Sequence, residues 1–325
     1  MKRLLVALTL LSITACTGMV GDVDSGSSFD AGRPDAGPPP IKYTQFTSRS
    51  NGWPSGAAVR GAAVLDNVLY AANDQGIYAL PATEVTWRRE TNPLTGDLVP
   101  TSLQRIDQSL VLTAAGSTSG GVWWRDVDTE WARVVTAPDV PTWSLLRKSS
   151  DYLLVGTGGL YGSDAFDGTY AQRSDAGVFA QPVRTFVAAP AQQLMFAAGA
   201  SLAESRDNGV TWSPSTLRGT VDGVAASGAF VVVSTSMDGQ QRSDNYGSTF
   251  RAQTAPLTGG VTFYVAQGST FWAGNNGGLF RSDDNGATFT EALNGLPANT
   301  AVRGLYFAGG YVVADTVDGP YVTQQ

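Results

Sequence analysis

The chain has 325 residues, 42% of them hydrophobic and 15% charged, with 38 glycines; this is a soluble, loop-rich make-up, long enough for one large all-β domain. A formal charge of −7 and the lack of a basic cluster argue against a nucleic-acid partner. The absence of histidine excludes a Ser-His-Asp triad and a His-based zinc site.

Residues 1–16 read as a signal peptide. Lys2 and Arg3 form its positive start, and Leu4 to Leu11 a short apolar stretch, too short to span a bilayer. It ends in Ile13-Thr14-Ala15-Cys16, which resembles a bacterial lipobox. The resemblance implies that Cys16, the one cysteine of the chain, becomes a lipidated N-terminus tethering a lipoprotein to a membrane. Thr17 in place of Asp implies the outer membrane. No cysteine is then left for a disulfide, so stability comes from packing alone. Losing Lys2 and Arg3 leaves 19 basic against 28 acidic residues, a mature charge of −9.

Residues 17–40 change to Gly, Ser, Asp, Ala and Pro and end in Pro38-Pro39-Pro40. Such a stretch buries too little apolar area to offset the entropy of ordering, and is expected to be a disordered tether. It would hold the domain, residues 41–325, off the lipid surface.

Beyond Ile41 the sequence repeats. Units begin at Val59, Val99, Val140, Val183, Val221, Val261 and Val302, 38 to 43 residues apart. Each holds a first apolar strand, then a second such as Tyr152 to Gly156 or Thr270 to Gly274. A glycine turn leads to a third, such as Gly278 to Arg281. Four short strands in about forty residues is the signature of propeller blades. No segment keeps a helical period.

A turn motif closes three of these units: Ser205-Arg206-Asp207-Asn208-Gly209-Val210-Thr211-Trp212, Ser243-Asp244-Asn245-Tyr246-Gly247-Ser248-Thr249-Phe250 and Ser282-Asp283-Asp284-Asn285-Gly286-Ala287-Thr288-Phe289. In S-x-[DN]-x-G-x-T-[WF] the acid or amide can accept backbone N–H groups one or two residues on. The glycine supplies positive φ, and the aromatic anchors the hairpin. The motif resembles the Asp-box (BNR) repeat of sialidase-like and sortilin-like β-propellers. Ser163 to Tyr170 keeps part of it, while Trp124 to Trp131 and Leu80 to Trp87 keep little beyond the closing aromatic. WD-type repeats have a similar length, but their Gly-His pair needs a histidine.

The closure is also legible. Phe46, Asn51, Gly52, Pro54, Val59, Arg60 and Gly61 match Phe289, Asn294, Gly295, Pro297, Val302, Arg303 and Gly304, all at one offset of 243 residues. Tyr43 to Ser48 is therefore expected to supply the outer strand of the last blade, pairing around Gly319 to Thr323 and removing an open edge. The fold expected is a single seven-bladed β-propeller, with six blades as the alternative if one degenerate N-terminal unit is misread.

The sialidase resemblance implies an Arg-Ile-Pro motif, a Tyr–Glu nucleophile pair and an acid/base Asp. Here Val59-Arg60-Gly61-Ala62 stands in place of the first, and no spacing pairs Tyr264 or Tyr306 with Glu204 or Glu291. The acidic boxes lack the length and terminal Glu of an EF-hand. No metal, cofactor or catalytic residue is assigned. The second residue of each unit reads Arg60, Pro100, Pro141, Arg184, Asp222, Thr262 and Arg303, beside the start of an inner strand and hence around one mouth of the channel. Arg60, Arg184 and Arg303 could hold a carboxylate, a sulfate or an acidic side chain there, with Asp222 between them, or pair locally. Trp53 and Trp143, in the connections between blades, are candidates for a contact surface or for plugs over the core. The reading is a membrane-tethered, non-enzymatic binding or scaffold propeller of the cell envelope, with a protein or peptide partner. A glycan-binding or glycoside-hydrolysing protein is the alternative.

Overall fold

The computed structural model describes residues 45–148, 151–157, 159–173, 183–189 and 193–324. Residues 1–44, which include the stretches expected as signal peptide and tether, lie outside them. Seven antiparallel four-stranded sheets form, six running in chain order from inner to outer strand. Their inner strands are Gly61–Leu65, Val99–Ile106, Thr142–Lys148, Val183–Ala188, Val221–Ser227, Phe263–Gln267 and Val302–Ala308. Each touches the next around the whole ring, the last against the first. This is a seven-bladed β-propeller; the six-bladed count is wrong.

Three inner strands begin two residues later than the valines suggest. Pro141 has no N–H to give the ladder, and Arg60 and Thr262 each reach it by a single amide bond of 2.8 Å, to Ala72 and Gly274. Every outer strand is two residues long.

Why the second strands read as continuous apolar runs follows from the packing. A blade is covered on both faces by its neighbours, so alternation gives way to burial of every position, as at Val231, Val232 and Val233. Among the described residues the buried side chains accordingly fall into seven clusters, each drawn from two adjacent blades. Side chains one repeat apart add polar ties between blades. Thr101 Oγ1 donates to the Thr142 carbonyl at 2.6 Å, Gln104 Nε2 to Leu145 at 2.5 Å, and Thr262 Oγ1 to Val302 at 3.0 Å.

The seam is closed as the offset predicts. Thr47 and Ser48 pair antiparallel with Val322 and Tyr321, completing the sheet of blade 7. The Phe46 amide donates to the Asn294 carbonyl at 2.6 Å and that of Arg49 to Pro320 at 2.9 Å. Phe46 itself is 3% exposed.

The three intact turns have one geometry. Ser205, Ser243 and Ser282 each accept the amide of Gly209, Gly247 or Gly286 at 2.7–2.9 Å, and donate to Asp207, Asn245 or Asp284. That same side chain then accepts the amide of Thr211, Thr249 or Thr288 at 2.8–3.0 Å. Burial works against the charge of Asp284, but the Thr288 hydroxyl and amide, with Ser282 and the Ala287 amide, outweigh it and bring its pKa down to about 2. The glycine has a second duty. A Cβ on Gly209, Gly247 or Gly286 would sit 2.3–2.7 Å from Leu153, Phe196 or Val232 of the preceding blade. Of the closing aromatics, Trp212 is buried, while Phe250 and Phe289 are only half-buried against their clusters.

Candidate functional site: the channel mouth

The ends of the inner strands that begin each unit surround one mouth of the channel. In five blades the ladder skips a residue there: Thr101, Trp143, Arg184, Asp222 and Arg303. A bulge leaves its residue unpaired and re-aims its side chain. Three of the four charged candidates thus occupy bulges, and the fourth, Arg60, precedes its strand.

Arg303 is engaged. Its Nε and Nη2 grip Asp315 at 3.1 and 2.8 Å, Nη2 donates to the Thr316 carbonyl at 2.6 Å, and the guanidinium reaches the Gly56 and Ala57 carbonyls at 3.5 Å. Asp315 is 0% exposed and the Arg303 side chain 23%. Burial pushes the Asp315 carboxyl up to about 6, against the pull of Arg303, a hydrogen bond from the Val59 amide and the field of Arg60. Arg303 therefore pairs with a buried carboxylate of its own blade, on which Arg60, across the seam, acts only as the weakest of the charges and hydrogen bonds around it. The Tyr306 hydroxyl ties the same blades by donating to the Val59 carbonyl at 2.6 Å; Gly304 makes room for it, since a Cβ there would lie 2.9 Å from that oxygen.

Asp222 is exposed, yet burial raises its pKa, opposed by a hydrogen bond from Ser234. A carboxyl in a concave mouth touches solvent while protein displaces most of its outer hydration. Arg184 lies in Val183–Ala188, with its side chain outside the described residues.

The loops around the mouth are braced. Arg218 binds Asp238 through two nitrogens and its own amide. The Ser117 amide donates to Asp97 at 2.7 Å, and Asn275 Nδ2 to Thr258 and Gly260. Trp53 is not a contact surface: it is 7% exposed, tilted against Tyr78 and Trp87 with ring centroids 5.2 Å away in each case, and its indole N–H donates to the Ala57 carbonyl. It plugs the core of blade 1. Trp143 is half-buried at its bulge, packed on the cluster between blades 3 and 4.

Asp315 is the residue that sequence reasoning missed. Its signal is an acid inside the apolar run Tyr311-Val312-Val313-Ala314-Asp315, which a buried strand position tolerates only with a partner. A separate cleft of about 230 Å³ lies at the outer seam, lined among others by Gln45, Arg49, Glu84 and Tyr311. Among the described residues no group of three or more His, Cys, Asp and Glu could hold a metal ion.

Fold and mouth together define a propeller whose channel opens between braced loops. Among solved structures the chain is similar to YCF48 from Cyanidioschyzon merolae, with 12% identity over 88% of this chain and 99% of that one, at a TM-score of 0.63. It is similar to YCF48 bound to D1 peptide, at 12% identity, 87% and 96% coverage and a TM-score of 0.61. The Neurospora crassa Pan2 WD40 domain follows at 12%, 87% and 95%, and 0.59. At such identities the likeness is one of fold. No family model and no curated protein matches the chain.

Proposed function

We propose that the protein is a non-enzymatic binding module of the cell envelope that offers its channel mouth to an acidic segment of a protein partner. The observation that carries this is the mouth beside the seam: Arg303 is held there on the buried Asp315, and Arg60 is near enough for its charge to act on the same carboxylate, which gathers basic groups on an acidic molecule. The braced loops favour it, because a preorganised face loses little entropy on binding. A structure of the same fold is bound to a peptide, so a propeller of this kind can hold one. We read the three turns as Asp boxes of the sialidase-like superfamily, here without a catalytic set, and Cys16 as the lipid anchor. The chain joins blade 7 at the end of the molecule that carries the boxes.

The test is affinity capture of the lipidated protein from its own envelope, alongside Arg60→Ala and Arg184→Ala. The reading expects a partner that is lost in both variants at unchanged Tm. Capture unaffected by either would refute the mouth as the site, and turnover of a fluorogenic sialoside or other glycoside, abolished by Arg60→Ala, would replace binding with catalysis.

A further inference from the structure

The charged groups that meet Asp315 come from few elements. Arg303 belongs to the inner strand of blade 7, and Arg60 and the Val59 amide to the stretch leading into blade 1. On its own sheet Asp315 lies opposite Gly304 on one side and Pro320 on the other, neither of which brings a charge. The carboxylate is thus answered from the mouth side alone. Arg303 does not depend on it for position, because three carbonyls, of Thr316, Gly56 and Ala57, also hold the guanidinium.

We propose that Asp315 is the counter-ion that sets the anion affinity of the mouth, making the seam a charge switch. With Asp315 ionised its charge answers that of Arg303; with Asp315 protonated Arg303 keeps its positive charge unanswered by that carboxyl. The switch rests on the reading of the mouth as an anion-binding face. Its working range follows from burial, which brings the carboxyl up to about 6, so that mild acidity strengthens the hold on an anion. Charge at the mouth acts through partly desolvated surroundings and is screened less than charge on open surface.

The experiment follows the Nε–H signals of Arg60 and Arg303 by nitrogen-15 NMR while inorganic sulfate is added at pH 5.0 and 7.5, at constant ionic strength. Sulfate keeps its charge over this range. The wild-type protein is expected to bind it about three- to tenfold more tightly at the lower pH. Asp315→Asn is expected to bind at pH 7.5 as the wild type does at pH 5.0, with little pH dependence. Asp222 also titrates at the mouth, and Asp222→Asn should leave the pH dependence in place. Without sulfate, the Arg303 signal should titrate near pH 6 and that of Arg218, paired with Asp238, should not; this measurement needs no variant. Sulfate that shifts the arginine signals equally at both pH values would overturn the switch and leave the site standing. A failure of sulfate to shift either signal at any pH would overturn the site, and the switch with it.

Discussion

At the scale of the residue, turn chemistry and pairing chemistry make opposite demands on the same acid. Asp284 accepts hydrogen bonds in its charged form, so its folded pKa lies below the ordinary carboxylate value. Its contribution is present above about pH 4 and lost as pH falls from there toward 2. Asp284→Ala and Asp207→Ala should each cost about 1–2 kcal/mol at neutral pH, as comparable caps and buried hydrogen bonds do. In Asp284→Ala the acid limb of a denaturation-midpoint titration should flatten; an unchanged limb would mean that the carboxylate contributes nothing. Asp315 has the reverse sign. Its folded pKa is raised, so stability grows as pH falls from about 6 toward 4. Removing its partner is a different matter. Arg303→Ala strands a fully buried acid and should cost about 3–5 kcal/mol by urea denaturation, whereas a mouth arginine without such a duty would change stability little. That outcome departs from what the funnel position alone suggests, because a side chain at the rim is also the lid of a buried charge.

At the scale of the element, the boxes hold blades apart at a fixed spacing as well as reversing the chain. Gly286 has φ 78° and its missing Cβ would fall 2.3 Å from Val232 of the preceding blade. Gly260 has φ 80° and meets nothing. Gly286→Ala should therefore cost clearly more than Gly260→Ala, which carries only backbone strain of about 1 kcal/mol. Equal losses by thermal unfolding would confine the glycine's role to the turn. The boxes, the strand order and the ring were legible because each is local and periodic: one motif, one spacing, one offset. The bulges at Asp222 and Arg303 were not, since a bulge depends on register between two strands and no residue type announces it. Of the two readings open for Trp53, contact surface or plug, the structure bears out the plug. Its place in a connection left both readings open; the connection folds back over the core of blade 1 and finds Tyr78 and Trp87 beneath it.

At the scale of the whole molecule, a ring is only as cooperative as its seam, and this seam has two ends. The outer end is the short pairing of Thr47 and Ser48 with Tyr321 and Val322, and the inner end is a clasp in which Arg303, Asp315 and Tyr306 of blade 7 hold the Gly56 and Ala57 carbonyls and both backbone groups of Val59. Deleting residues 1–40 touches neither and should leave Tm unchanged. Deleting residues 1–50 removes the outer pairing and buried Phe46. It also takes the Arg49 carbonyl that accepts the Trp87 indole N–H at 2.7 Å, and so loosens blade 1 as well as blade 7. With the clasp still in place the ring stays nominally closed, but blade 7 then presents a free strand edge. The expected result is an earlier, broader unfolding transition and concentration-dependent aggregation, followed by calorimetry and light scattering. Adding Arg303→Ala to that deletion should break the inner end too and abolish cooperative unfolding, an effect larger than the two losses combined, because each end is what keeps the other in register. Simple additivity of the two changes would mean that the ends of the seam act independently, and that closure is a property of the packed blades between them.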